Sequence, residues 1–321
     1  MSSKIPTVKM HNGVEIPIIG LGTATNLENP NVKELKAAFQ AAIDAGYRTF
    51  DTAAAYQNEH IIGEFLEELF KEGKIKRSDI FITTKVWPTE FRPMNVEKSI
   101  KSSLEKLRLD YIDLFLLHGP TPVKEENGKY VPDLVPHIGT WHVLEKYYKA
   151  GTFKSIGLSN FTIPQMEDLI KKAEIKPHNL QVECHACFPQ YELQEFCKKN
   201  DITFTSFATL GSPTRTQYDP TANWGDASPM ELPVVKELAE KYGKSPGQIL
   251  LRQMTQRGII VIPRSTNPKR IHDNISIFDF TLTDDEMKKF TEIKENIRLF
   301  LWENFNGHPW HFLNQEETTV K

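Results

Sequence analysis

Residues 79–118, DIFITTKVWPTEFRPMNVEKSIKSSLEKLRLDYIDLFLLH, decide the fold. A short apolar run, DIFITTK (79–85), ends at a lysine. A polar stretch of helical length, NVEKSIKSSLEKLRL (95–109), follows, and a second apolar run, IDLFLLH (112–118), ends at a histidine. Runs that are apolar throughout, rather than alternating, suit parallel strands covered on both faces. A helix between two such strands is the crossover that parallel pairing requires.

The pattern extends in both directions. Strand-like runs also occupy 18–22 (IIGLG), 47–51 (YRTFD), 155–159 (SIGLS), 179–185 (NLQVECH), 202–210 (ITFTSFATL) and 259–263 (IIVIP), with amphipathic helical stretches between them. Several of those stretches end at Gly46, Gly73, Gly151 or Gly243, which suits a left-handed C-terminal cap. Ser245-Pro246 and Asn267-Pro268 mark helix starts, and Thr283 with Glu286 forms a capping-box pattern. Ahead of the first run, VKMHNGVEIPII predicts a small β-hairpin with a two-residue turn at Asn12-Gly13. Eight strands with intervening helices favour a closed (β/α)8 TIM barrel, the rival being a doubly wound sheet. No linker or change of composition interrupts the pattern, so residues 1–321 read as one domain.

Composition excludes several function classes. The net charge is −3, with 39 basic and 42 acidic residues interspersed, so no basic face for nucleic acid emerges. The N-terminus lacks an apolar leader and no run approaches the roughly 18 apolar residues of a membrane span, so a cytoplasmic protein without a membrane partner is expected. Three cysteines do not make a disulfide framework. Cys184 and Cys187 flank His185, but a structural zinc site needs four ligands and no second pair exists, so no metal is expected.

In a barrel, chemistry gathers on the face formed by the strand C-termini. Asp51, Tyr56, Lys85 and His118 follow three consecutive strand-like runs there. Each alone could be ordinary loop chemistry; together they suggest a carbonyl-reducing site. A tyrosine serves as general acid near neutral pH when a neighbouring ammonium favours its phenolate. Lys85 is placed for that, with Asp51 holding it and His118 orienting a substrate oxygen.

From the MHNGVEIPIIGLGT opening through AGYRTFDTAAAYQNE, ITTKVW, IDLFLLHGP, KSIGLSNF and QVECH to IPRSTNPKRIHDN, the chain resembles the aldo-keto reductase superfamily, in its aldose and xylose reductase branch. The resemblance implies that Asp51, Tyr56, Lys85 and His118 form a catalytic tetrad, that the cofactor is NADPH, and that a C-terminal loop lies over the active-site face. It implies nicotinamide contacts from Ser159, Asn160 and Gln181, and stacking on Phe207. Thr23, Asp51, Leu210 and Ser212 also match cofactor positions. Arg264, Ser265, Thr266, Asn267, Arg270, Asp273 and Asn274 match the part that binds the adenosine 2'-phosphate and adenine. It also favours a monomer acting on a small-molecule carbonyl substrate. Gly20-Leu-Gly22 lacks the further glycine of a dinucleotide fingerprint.

The sequence departs from the family in its pocket. Ala24 and Gly119 stand where relatives commonly carry tryptophan, which implies a wider cleft. Trp87 matches a pocket position, and Trp224, Trp302, Phe305, Trp310 and Phe312 are candidates to refill the space, although core or surface packing is an equal reading for Trp302 and Phe305. Thr25 and Thr214 replace the ion pair that latches a loop over the cofactor, which implies a looser segment 214–229 or use of Arg215 against phosphate. A cofactor-sensing subunit with little turnover is the alternative to an enzyme. A Schiff-base lysine is disfavoured because Asp51 would keep Lys85 protonated.

Overall fold

The computed structural model describes residues 5–24, 31–217, 220 and 222–311. Its strands are β1 (Thr7–Lys9), β2 (Glu15–Pro17), β3 (Leu21–Gly22), β4 (Thr49–Asp51), β5 (Phe81–Val86), β6 (Leu114–Leu117), β7 (Val123–Glu126), β8 (Lys129–Pro132), β9 (Ile156–Ser159), β10 (Asn179–Glu183), β11 (Thr203–Phe207) and β12 (Ile260–Val261). The α-helices are α1 (Val32–Ala45), α2 (Glu59–Lys71), α3 (Pro93–Leu107), α4 (His137–Lys149), α5 (Ile163–Lys172), α6 (Tyr191–Lys199), α7 (Pro233–Tyr242), α8 (Pro246–Gln256), α9 (Pro268–Ile275) and α10 (Asp284–Thr291).

Eight strands form one parallel sheet in the order β3-β4-β5-β6-β9-β10-β11-β12. The sheet closes on itself. The Val261 amide donates to Ile18 O at 2.9 Å, Gly20 N to Val261 O at 2.9 Å and Gly22 N to Pro263 O at 3.1 Å. Glycine is required at this seam, since a Cβ on Gly22 would come within 2.6 Å of Ile262 O. The closed barrel excludes the doubly wound alternative, which leaves two open edges. The first run yields only Leu21–Gly22 as a β3–β4 ladder because Ile18 and Gly20 are committed to the closing contact.

Helix ends follow the residues read from sequence. Gly46 and Gly243 cap α1 and α7 in the left-handed conformation, and Gly73 and Gly151 take it one residue beyond the caps of α2 and α4. Ser245, Asn267 and Thr283 each accept a hydrogen bond from a first-turn amide.

The hairpin reading needs correction. β1 and β2 pair, but through a three-residue loop: Met10 N donates to Val14 O at 2.8 Å and Gly13 N to Met10 O at 2.9 Å. Gly13 has φ +89°, and Asn12 keeps a negative φ while its side chain reaches Lys154 O at 3.0 Å. The two-residue turn lies elsewhere. Asn127 and Gly128, both at positive φ, join β7 to β8 in a hairpin that the sequence reading missed. The N-terminal hairpin closes the barrel floor, with Met10 and Ile16 against Phe81, Leu114, Leu116 and Ile260.

Candidate active site

Asp51 is the last residue of β4, Lys85 is next to last in β5, and His118 directly follows β6, with its amide bonded to Val86 O at 3.1 Å. Tyr56 sits on a 3-10 turn, Ala54–Tyr56, between β4 and α2. Parallel pairing of three adjacent strands therefore puts four residues spread over 68 positions at one mouth.

Lys85 is fully buried, and its ammonium meets Asp51 Oδ1 at 2.5 Å, Thr52 O at 2.9 Å and Tyr56 Oη at 3.4 Å. Burial works against its charge, but the Asp51 carboxylate and the Tyr56 hydroxyl outweigh burial and hold Lys85 above its ordinary pKa. Asp51 Oδ2 accepts from the Gln181 amide at 2.7 Å. His118 stands edge-on to Tyr56, ring centroids 5.7 Å apart, and to Trp87 at 4.9 Å. Burial, with a smaller push from the Lys85 ammonium, holds His118 well below its usual pKa, so it is a neutral imidazole.

The strand ends beyond carry the next set. Ser159 pairs in register with Gln181, and the Asn160 amide donates to Gln181 O at 3.0 Å. Asn160, at φ +63°, gives its side-chain N–H to His118 O at 2.8 Å and to Ser159 Oγ at 3.2 Å. Its buried Oδ1 has no hydrogen-bond partner among the described residues. Thr23 donates to Asp51 O through both hydroxyl (2.9 Å) and amide (3.0 Å). Phe207 is half-buried against Phe300, Leu210 is partly buried against the core, and Ser212 has φ +42°.

Around the barrel, Gly22, Thr23, Arg264, Ser265 and Thr266 line a smaller cavity of about 200 Å³. Asn267 caps α9 through Arg270 N at 3.1 Å, and Arg270 Nε lies 3.4 Å from Ser265 Oγ. Asp273 is paired with Lys269 at 2.6 Å, and Asn274 is buried on the same helix. Arg215 donates to Gly211 O at 3.1 Å and Gly225 O at 3.2 Å, bracing its own loop. Thr25 and Phe312 lie outside the described residues, as do residues 218, 219 and 221 of the 214–229 segment.

A cleft of about 300 Å³ opens over His118. Trp87, Pro88, Pro120, Trp302 and Phe305 give it apolar walls, Gly119 lines it without a side chain, and His118, Thr121, Asn160 and His311 are its polar points. Of the expected pocket residues, Trp87 and Gly119 are in this lining, and so are Trp302 and Phe305, two of the candidates to refill the space. Trp224 packs on Phe300 and Trp310 on His137, both outside the lining, and Ala24 borders the undescribed residues 25–30.

Pro88, Pro120 and Thr121 in this lining were not read from sequence, nor were two further contributors. His311 lines the cleft from the C-terminal segment. Glu183, fully buried on β10, accepts from Leu299 N at 2.5 Å, Phe300 N at 2.9 Å and His185 Nε2 at 3.0 Å. Its only sequence signal was a carboxylate inside an apolar strand. Burial opposes its charge, yet His185, Arg298 and the Leu299 amide outweigh burial and hold it below the usual carboxylate range. Among the described residues, no group of three or more His, Cys, Asp or Glu is arranged to hold a metal, and no helix is long and apolar enough to cross a membrane.

Comparison with known proteins bears on this geometry. The model of the Aldo/keto reductase family matches residues 18–295. Estradiol 17 beta-dehydrogenase 5 of Mus musculus is 40% identical, over 96% of this chain and 98% of that protein. Prostaglandin F synthase 1 of Bos taurus is 37% identical over 98% and 100%. The structure of the aldose reductase from Schistosoma japonicum superimposes with a TM-score of 0.86 at 40% identity, covering 95% of this chain and 98% of that one. With its closed barrel and its polar residues at three adjacent strand ends, the chain belongs to the aldo/keto reductase family and is an oxidoreductase of that family.

Proposed function

We propose that the protein reduces aldehydes and ketones to alcohols, with NADPH as cofactor and Tyr56 as proton donor. The observation that carries this is the buried Lys85 ammonium between the Asp51 carboxylate and the Tyr56 hydroxyl. An ammonium beside a phenol stabilises the phenolate left after proton transfer. His118, neutral and edge-on to Tyr56, is placed to orient a carbonyl oxygen without competing as the acid.

The residues present fit a nicotinamide dinucleotide. The buried, unpartnered Asn160 Oδ1 beside Ser159 suits the N–H groups of a carboxamide. Arg264 and Arg270, with Ser265, Thr266 and the N-terminus of α9, suit a phosphate. Bound there, reduced nicotinamide supplies the hydride. Gln181, expected to hydrogen-bond the nicotinamide carboxamide, gives its side-chain N–H to Asp51 and so also fixes that carboxylate toward Lys85. The apolar walls and the missing side chain at Gly119 favour bulky, uncharged carbonyls over small sugars. Relatives named for estradiol and prostaglandin accord with that size.

The test is Tyr56→Phe, which keeps the ring and removes the proton. Carbonyl reduction should fall by about 10² to 10⁴, while NADPH binding, followed by tryptophan fluorescence, stays nearly unchanged. Near-normal reduction by the folded variant would overturn the assignment. A wild-type protein that binds NADPH but turns over no carbonyl across a broad panel would point to a cofactor-sensing subunit instead.

A further inference from the structure

Asn58 occupies the N-cap of α2, where an asparagine side chain ordinarily accepts a first-turn amide and stabilises the helix by about 1 kcal/mol. Here it makes no such bond. The side chain turns away from the helix, fully buried, into the strand ends. Its Nδ2 donates to Thr23 O at 2.7 Å, and its Oδ1 accepts from Thr52 Oγ1 at 2.8 Å. Forgoing a cap for these contacts indicates that the carboxamide serves the site.

The contacts close a ring. Tyr56 Oη meets Lys85 Nζ, Lys85 Nζ donates to Thr52 O, the Thr52 hydroxyl donates to Asn58, and Asn58 lies two residues after Tyr56. Gln57, the intervening residue, is held at φ +53°. The other arm of the carboxamide reaches Thr23, whose hydroxyl and amide both bond Asp51 O. Asn58 thus ties the turn that carries Tyr56 to the strand ends beside both members of the ion pair. The longest link in the ring is Lys85 to Tyr56, at 3.4 Å. That is near the limit of a hydrogen bond, so a few tenths of an ångström of drift in the turn would break it.

We infer that Asn58 is a positioning residue that sets the distance between Lys85 and the proton-donating Tyr56, with Thr52 as its relay. The inference rests on the assignment of Tyr56 as general acid. Weakening the link removes part of the ammonium's stabilisation of the phenolate, so the acid holds its proton to higher pH. Reduction needs the protonated acid. The descending limb of kcat against pH should therefore move to higher pH while its plateau falls.

The experiment compares Asn58→Ala, Thr52→Val and Thr52→Ser in NADPH-dependent reduction of one carbonyl across pH, with thermal midpoints alongside. Thr52→Val keeps the shape and removes only the hydroxyl, and Thr52→Ser restores it, which keeps the test open should Asn58→Ala fail to fold. Expected are a kcat loss of about 10- to 100-fold, the scale of an ångström-level misplacement, an upward shift of the alkaline limb, a KM for NADPH within about twofold, and recovery in Thr52→Ser. Lower midpoints in Asn58→Ala and Thr52→Val with kcat and its pH profile unmoved would overturn the inference and leave Asn58 a structural residue. Should Tyr56→Phe retain turnover, the general-acid assignment falls and the inference with it. An inactive Tyr56→Phe beside an unmoved Thr52→Val profile removes the inference alone.

Discussion

Lys85→Met should cost stability as well as activity, and adding Asp51→Asn should return part of the stability and none of the activity. Both side chains are nearly inaccessible, 0% and 3% exposed, and their charged atoms are 2.5 Å apart. Removing one partner of such a pair costs about 3–5 kcal/mol, because the remaining charge stays buried without compensation. Lys85→Met leaves Asp51 with the Gln181 amide, and Asp51→Asn leaves Lys85 with Thr52 O and Tyr56. These residual contacts place each single variant near the lower end, about 3 kcal/mol, or roughly 4–5 °C in Tm for a chain of this size. The double variant buries no charge at this point and should be more stable than either single one, with a coupling of about 1–3 kcal/mol. Guanidinium unfolding followed by tryptophan fluorescence gives the cycle, and single-substrate kinetics gives the activities. Additivity within about 0.5 kcal/mol would refute the reasoning. A double variant as active as wild type would refute the role of the pair in reduction.

Arg270→Ala should weaken NADPH binding by about 1.5–3 kcal/mol while leaving NADH nearly unaffected, the cost of losing a charged hydrogen bond; equal losses in fluorescence titrations would remove Arg270 from phosphate recognition. Gly119→Trp should fold, since a Cβ there meets only Pro88 Cγ at 3.9 Å. Its indole, about 150–250 Å² of surface, should raise KM for bulky ketones and spare slim aldehydes, and an unchanged substrate panel would contradict the reading that the missing side chain leaves room for substrate. Burial lowers His178 and His311 from 6.5 to about 4. Their neutral forms are therefore favoured by folding, and stability should be full above about 6.5 and fall as pH drops toward 4, by about 2 kcal/mol per histidine at pH 5. Denaturant unfolding at pH 7 and pH 5 checks the sign; equal midpoints would contradict it.

The barrel was legible because each of its strands is short, apolar and separated from the next by a crossover helix, so order along the chain gives order around the sheet. That Asp51, Tyr56, Lys85 and His118 come together was legible for the same reason: position at a strand end fixes which face a side chain reaches. What escaped depended on contacts between distant segments. Asn12-Gly13 and Asn127-Gly128 carry the same two-residue signal, and only the second forms that turn. Asn12 is drawn to Lys154 O, a contact no local pattern announces. Gln181 is placed on Asp51, 130 residues away, by the curvature of the closed sheet. Trp302 and Phe305 were candidates for the cleft, but neither sits in a strand or an α-helix, so nothing periodic could separate that place from core or surface packing.

The same contrast governs the site. Hydrogen-bonded strands place Asp51, Lys85 and His118, but much of the wall over His118 comes from residues 302–311, beyond the last barrel helix. Glu183 anchors this segment at its root through the amides of Leu299 and Phe300, and Tyr130 on β8 stacks on Phe305 at 5.2 Å from the other side. Lys85 and Asp51 require no contribution from that segment. Changes at Glu183 or Tyr130 should therefore act on which carbonyl fits, through KM, before they act on proton transfer. The β7–β8 hairpin and the C-terminal segment can vary in sequence without disturbing the ion pair, so one barrel mouth can support one reaction across many carbonyl shapes.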